Sequence, residues 1–545
     1  MRTRKVVGAT IGALLLATSL ATACTRDEEG GVARTTLRVG WSSEPDKMNP
    51  LTSWSTEAYE VLSLVYDNLL GYDENLKTEN QLAESFEYST DGLSITYHLR
   101  PDVMWHDGEP FTSADVKFTF ELIKEGSLGA YAQWLTGMTG VETPDDQTVV
   151  VSFDAPQAFN PGLAIPIVPE HIWSAVPADE LKKFSNDTPV GTGPYRLTEW
   201  KQGETVTLER NPDWRGDAPA AERIVFVLYG NEDVMAQALR AGEVDILTEV
   251  PPTIFDGLVG AENVKTVSLP SFSFHHIGFN VDTAPASKGN PLLLDPVIRQ
   301  ALNYAIDRDQ LVELALAGHG QPGSVLLPPA FGDWQYQVTS DEEMNANPDA
   351  ATALLEDAGY TDTDGDGVRE SPDGEPLEFR LIAIESTTVD VRAAELFRDS
   401  ASEVGIQLDL QTMDENTLGD IVYNLKDPDW DIFVWGWDSG VADADYMLGI
   451  VLCSQIGGNN DIFYCDQGYD ALYDQQATTV DAATRMPIVH EMQQLFYDSG
   501  AYIVMWYQDK LQAYRTNTWE GWTETPGGIV FNFTRDNYLN ATPVA

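Results

Sequence analysis

The sequence predicts an α/β protein of at least two lobes, and three observations carry that reading. The chain has 545 residues, too many for one hydrophobic core, so two or three domains are expected. Stretches with period-2 apolar alternation recur between stretches with helical spacing. One segment, residues 377–411, reads strand, helix, strand, the βαβ unit of a parallel sheet with a right-handed crossover. Apolar residues make up 43% of the chain and aromatics 10%, enough to fill such cores.

The elements follow in order. Arg2, Arg4 and Lys5 form a positive head, and Val6 to Leu20 is an uncharged apolar run. Ala21, Thr22 and Ala23 then lead into Cys24. Residues 1–23 thus have the layout of a secretory signal peptide, with an apolar run too short for an ordinary spanning helix. The approach to Cys24 resembles the lipobox of bacterial lipoproteins, although Ala21 stands where that pattern usually has Leu. The resemblance implies a lipid on Cys24 and a polar tether over 24–35. The protein is therefore expected outside the cytoplasm, anchored to the cell membrane.

Leu37 to Trp41 is a short strand, and Glu57 to Leu70 reads as a helix with Ala58, Val61, Leu62, Val65 and Leu69 on one side. Ser94 to Arg100 alternates as a strand. Thr112-Ser113-Ala114-Asp115 has the form of a capping box, with Asp in place of Glu, opening a helix through Leu122. Thr148–Phe153, Thr205–Arg210 and Arg223–Leu228 are strands, and Gly191-Thr192-Gly193-Pro194 is a junction rich in breakers. Val234 to Ala241 is helical and stops at Gly242. Asp295–Ile306 and Arg308–Ala317 are helices joined at Asp307. Ala350 to Ala358 is a helix that Asp349 caps and Gly359 ends. After the βαβ unit come the strand Asp431–Trp437, the helix Pro487–Asp498 and the apolar strand Ala501–Tyr507.

Several runs resemble the oligopeptide- and dipeptide-type solute-binding proteins of ABC importers. They are LRPDVMWHDGEPFTSADVKFTF (Leu99–Phe120), YDNLLGYD (Tyr66–Asp73), LAES (Leu82–Ser85), VGTGPYRLTEW (Val190–Trp200), LERNPDW (Leu208–Trp214), GEVDIL (Gly242–Leu247) and VIRQALNYAIDRDQLV (Val297–Val312). They occur in the family's order and span nearly everything from Leu37 onward. The resemblance implies a two-lobed periplasmic-binding-protein-like clamp of type II, with an extra inserted domain. Lobe I would comprise 36–75, 187–277 and 510–545, the inserted domain 76–186, and lobe II 278–509. Hinges are expected near His276–Phe279 and Tyr507–Lys510. The implied function is capture of a peptide or peptide-like solute by hinge closure, then delivery to a permease whose ATPase subunits supply the energy. Such a binder is expected to act as a monomer and to need no cofactor. An oligosaccharide on the same scaffold is the alternative.

In relatives that bind peptides, a Gly-Trp pair is followed three residues after the Trp by an Asp that pairs with the α-ammonium. Here Gly436-Trp437 matches the pair, but residue 440 is glycine. Asp438 or Asp443 is the expected substitute. Trp435 and Trp437 share one side of an alternating strand, so both line the cleft or both are core unless the strand bends. Trp54, Tyr131, Trp134, Trp506 and Tyr507 complete the expected ligand-binding set, with core packing the competing reading for each aromatic.

Asp362, Asp364 and Asp366, with Gly367, begin a D-x-D-x-D-G loop. Alternating oxygen donors on a sharp turn suit calcium. Val368 would offer a carbonyl, and Glu370 and Asp373 would fill the later positions. Asp373 replaces the usual Glu, and Ser371-Pro372 argues against a second flanking helix, so this is not a full EF-hand. A structural Ca2+ is the expectation and a solvated acidic turn the competing one.

The chain has 86 acidic and 32 basic residues, a balance that repels nucleic-acid phosphates and favours cationic or zwitterionic ligands, with solubility or a salty habitat the competing reading. With Cys24 assigned to lipid, Cys453 and Cys465 remain as an expected disulfide. A secreted hydrolase is the competing class on composition, but no G-x-S-x-G, H-E-x-x-H or P-loop occurs. The chain is expected to be no enzyme.

Overall fold

A computed structural model describes residues 34–544 apart from 54, 74, 127, 178 and 531–534. The expectations placed on residues 1–23, Cys24, most of the tether and Trp54 lie outside the described residues. No helix among the described residues is long and apolar enough to cross a membrane.

The first half is built on the strand Thr36–Trp41, which pairs in parallel with Arg223–Leu228 and Ile246–Leu247. Thr205–Arg210 and Tyr195–Lys201 extend this sheet antiparallel. In the second half Glu378–Ile384 runs parallel to Gln407–Met413 and Ile432–Asp438, as the βαβ reading requires. Leu381 and Ala383 enter one apolar cluster and Ile382 and Ile384 another. Strands buried on both faces read as continuous apolar runs, which is how this one reads.

A single strand of 14 residues, Tyr502–Arg515, joins the two sheets. Its beginning pairs with Ser273–Phe279 and its end with Val264–Pro270 and Ile246–Leu247. The apolar pattern fades after Tyr507, but ladder pairing with Val264–Pro270 carries the strand on. The other passage between the halves lies at Ser271–Phe272, between the strands Val264–Pro270 and Ser273–Phe279. Residues 276–279, where the first hinge was expected, pair along Ile432–Asp438 inside the second sheet.

Residues 83–153 hold a separate four-stranded antiparallel sheet of Ala83–Tyr88, Ser94–Leu99, Thr148–Phe153 and Met138–Asp145. The helix Ser113–Gly126 packs on it. The capping box closes both ways: Ala114 N–H donates to Thr112 Oγ1 (3.3 Å) and Thr112 N–H to Asp115 Oδ2 (2.9 Å). This inserted segment and the first half share one apolar core.

Three elements differ from the sequence reading. The helix Thr56–Val65 ends before Leu69, because the chain turns to bury Asp67 between Arg215 (2.6 Å) and Arg535 (2.5 Å). Asn347, not Asp349, caps the helix Pro348–Asp357. The helix expected from Pro487 starts a turn and a half earlier, at Ala482, with Asp481 capping it and Pro487 inside. Cys453 and Cys465 are joined by a disulfide.

Candidate functional site

A cavity of about 460 Å³ opens between the halves. Its wall is built from three places. The turn Pro50–Ser53 and the helix Thr56–Val65 present Thr52, Thr56, Tyr59 and Leu62, with Asn68 and Gln81 beside them. The inserted segment presents Tyr131, Trp134, Leu163, Ala164 and Pro166. The second half presents Asp438, Gly440 and Tyr446.

The helix can face both ways because Ala58, Val61, Leu62 and Val65 sit on its core side while Tyr59 is half-buried on another. Tyr59 O–H donates to Ser53 O (2.9 Å), which ties helix to turn. Tyr131 and Trp134 lie 5.7 Å apart, and Trp134 lies 6.5 Å from Tyr446 across the halves. Two buried polar atoms on this wall, Thr52 Oγ1 and Trp134 Nε1, lack a hydrogen-bond partner among the described residues.

Asp438 ends the strand Ile432–Asp438, and its side chain is open to the cavity. Burial in the cleft and the nearby Glu249 push its carboxyl up to about 6, against Lys510 and His275, which favour its charged form. A second, small recess lies alongside, lined by Trp41, Glu57, Glu60, Glu249 and Lys510. Lys510 Nζ stands 3.3 Å from Glu249. Burial and the Glu249 and Asp46 charges raise Glu57. Glu60 accepts from Trp41 Nε1 (3.0 Å), Thr248 Oγ1 (3.3 Å) and Tyr538 O–H, and burial pushes it up to about 7.

The structure therefore brings Tyr131, Trp134 and Asp438 of the expected set together. It does not bring Gly436, Trp437, Asp443, Trp506 or Tyr507, and Trp54 lies outside the described residues. Trp437 shares a strand face with Phe433 and Trp435, all three packed in or against one core of the second half, and its indole N–H donates to Asp461 Oδ2 (3.2 Å). Gly436 lies inside the sheet opposite His275, whose ring an added Cβ would meet at 3.1 Å. Asp443 caps the helix Ala444–Gly449 and pairs with Arg485 at 2.7 Å. Trp506 is fully buried and stacks on His275. Tyr507 is buried, its hydroxyl held by the Ser324 and Val325 backbone. Trp437, Gly436, Trp506 and Tyr507 are held in the sheet because Tyr502–Arg515 and its partner strands lie in its middle, and Asp443 is taken up by its helix cap and Arg485. Sequence reasoning missed Tyr59 and Tyr446. An aromatic off the apolar face of an amphipathic helix is the signal that marks Tyr59.

The acidic loop closes on itself. Asp362, Asp364, Asp366 and Glu370 bring carboxylate oxygens within 4.8 Å of one another. Gly365 and Gly367 have positive φ of 85° and 98°, which the tight turn requires. Asp373 falls outside this group, in the Ser371–Gly374 turn. Val368 donates its N–H to Asp366 Oδ1 (2.8 Å). A bridge between Thr361 and Glu370 shortens the loop below the expected 12 positions.

The model of the family described as bacterial extracellular solute-binding proteins, family 5, matches residues 77–459. The oligopeptide-binding protein AppA of Bacillus subtilis is 27% identical over 506 residues, covering 91% of this chain and 90% of its own. The glutathione-binding protein GsiB of Salmonella typhi is 26% identical, covering 89% and 91%. The solved periplasmic oligopeptide-binding protein of a Thermotoga maritima ABC transporter superposes with a TM-score of 0.81 at 23% identity, covering 93% of this chain and 99% of its own. The fold is thus the type II periplasmic-binding-protein clamp.

Proposed function

The chain belongs to the bacterial extracellular solute-binding proteins of family 5, and on that premise we propose that it captures a peptide or peptide-like solute and delivers it to the permease of an ABC importer. One observation carries the reading: the cavity takes its wall from both halves, and among the described residues two chain passages join those halves. Rotation about Ser271–Phe272 and the middle of Tyr502–Arg515 would bury a solute on all sides, the hinge closure that makes a loaded clamp different from an empty one. The volume suits a small solute. Thr52 Oγ1 and Trp134 Nε1 suit a ligand that offers hydrogen-bonding groups. The chain binds without turnover, ATP hydrolysis belonging to partner subunits. It works outside the cytoplasm, held to the membrane by a lipid on Cys24.

Mass spectrometry of solutes released from the purified protein tests this. Peptides or peptide-like molecules are expected. Recovery of oligosaccharide instead would overturn the solute class, and consumption of a bound candidate would overturn the binder. The loop Asp362–Glu370 is proposed to take a structural Ca2+, with Asp362, Asp364, Asp366 and Glu370 as carboxylate donors. Calcium should then raise the melting temperature of the wild type and not of Asp364→Ala.

A further inference from the structure

We propose that Leu76 and Val441 form a reciprocal catch that holds the clamp closed, each half inserting one apolar side chain into the core of the other. This rests on the reading of the chain as a hinged clamp and names the residues that set its closure.

Val441 follows the strand Ile432–Asp438 of the second half, yet its side chain is buried in the core shared by the first half and the inserted segment. Among the described residues it is the one buried member of that core that the second half supplies, and Tyr446 packs against the same core. The turn that presents it is braced. Ser439, fully buried, donates its O–H to Val441 O (2.7 Å), and Asp443 pairs with Arg485 (2.7 Å).

Leu76 is the counterpart. It sits in the connection between the antiparallel strands Leu70–Tyr72 and Thr78–Asn80, and its side chain packs against the core of the second half. Its φ is 58°, in the left-handed region that a bulky residue seldom adopts. Such strain persists where the surrounding packing over-determines it, and it points to a function. Asp73 holds the tip: Leu76 N–H donates to Asp73 O (2.9 Å) and Lys77 N–H to Asp73 Oδ1 (2.9 Å). A third contact crosses nearby in the chain order. Ala158 N–H of the inserted segment donates to Ala477 O (2.8 Å), at the end of the helix Gln467–Ala477, where the last carbonyls have no partner within the helix.

Opening the clamp would return Leu76 and Val441 to water and break the Ala158 bond. Neither Leu76 nor Val441 lines the cavity, so both are positioning residues that act on the halves and not on the solute. A clamp that closes on its own contacts lowers the conformational cost that a solute must meet.

Hydrogen exchange of the ligand-free full chain, read by mass spectrometry of its peptides, tests the catch. The Ala158 amide reports closure and the strand Ser94–Leu99 reports folding. Ala158 is expected to be protected in the wild type. With Leu76→Gly and Val441→Ala combined, it should exchange at least about tenfold faster, with Ser94–Leu99 unchanged. Glycine adopts the left-handed backbone at 76 freely, and the bond to Val441 O survives in alanine, so both turns keep their shape. Should the pair not fold, Leu76→Gly alone is judged by the same outcomes. Rapid exchange at Ala158 in the wild type, or equal protection in wild type and variant, would overturn the catch. So would exchange that rises alike at Ala158 and Ser94–Leu99. Solute capture would stand in each of these cases, since the released solutes test it separately.

Discussion

Glu60 shows how one residue can carry a pH dependence far from any chemistry. Its carboxyl is buried on the helix Thr56–Val65, with Trp41, Thr248 and Tyr538 donating to it. Burial outweighs the Tyr538 and Trp41 hydrogen bonds and moves its pKa from an ordinary 4.5 up to about 7. The folded state therefore favours the neutral form. That contribution is fully present below about pH 4.5 and is lost as pH rises through about 7. Glu60→Gln stays neutral throughout, so it should lose less stability than wild type between about pH 5 and about pH 8. The difference is at most about 3 kcal/mol, read from urea midpoints at the two pH values. An identical pH slope in both proteins would show that Glu60 is ionised in the fold. The same scale explains what could be read of the site in advance. Tyr131 and Trp134 were legible from their place in the resemblance, and Asp438 from the empty position at Gly440. Trp437 was not, because strand period says that it shares a face with Trp435 but not which face meets the core. That choice is made by Ser273–Phe279, more than 150 residues earlier, and by Asp461, neither of which local spacing can weigh.

At the scale of elements, the junction around Gly191 shows a glycine required by close approach rather than by dihedral freedom. The segment Val190–Pro194 lies across the end of the helix Thr56–Val65, with Gly193 N–H donating to Val65 O at 2.9 Å. A Cβ on Gly191 would stand 1.8 Å from Val65 O, and one on Gly193 2.5 Å from Leu64 O. Backbone atoms cannot step aside as a flexible side chain can. Gly191→Ala should therefore lower the unfolding free energy by at least about 2 kcal/mol, seen as a lower urea midpoint with an unchanged slope. An unshifted midpoint would mean that the loop does not pack on the helix end. The sequence marked this segment as a junction and placed most strands and helices within a few residues. It misjudged ends where a distant partner decides them. Thr56–Val65 stops short for Asp67 and its two arginines, and Tyr502–Arg515 runs on because Val264–Pro270 offers it a ladder. Both partners are remote in sequence and neither changes the local apolar period.

The whole molecule is a clamp with a heavy excess of one charge. Its 86 acidic residues face 32 basic ones, and several of the bases are taken up in inward-facing pairs, among them Arg215 and Arg535 with Asp67 and Arg485 with Asp443. The surface left over repels itself. Surface ion pairs such as Lys201–Glu199 and Arg392–Glu395 return little each. The two halves suffer most, because closing the clamp brings Asp438 of the second half toward Glu57 and Glu249 of the first, with Lys510 and His275 set against them. Salt screens such repulsion over about 8 Å at physiological strength and over about 3 Å at 1 M. Raising sodium chloride from about 20 mM to about 500 mM should then raise the melting temperature by several degrees. Differential scanning calorimetry across that series reads the effect, and a falling melting temperature would mean that ion pairs, not the acidic excess, dominate the balance.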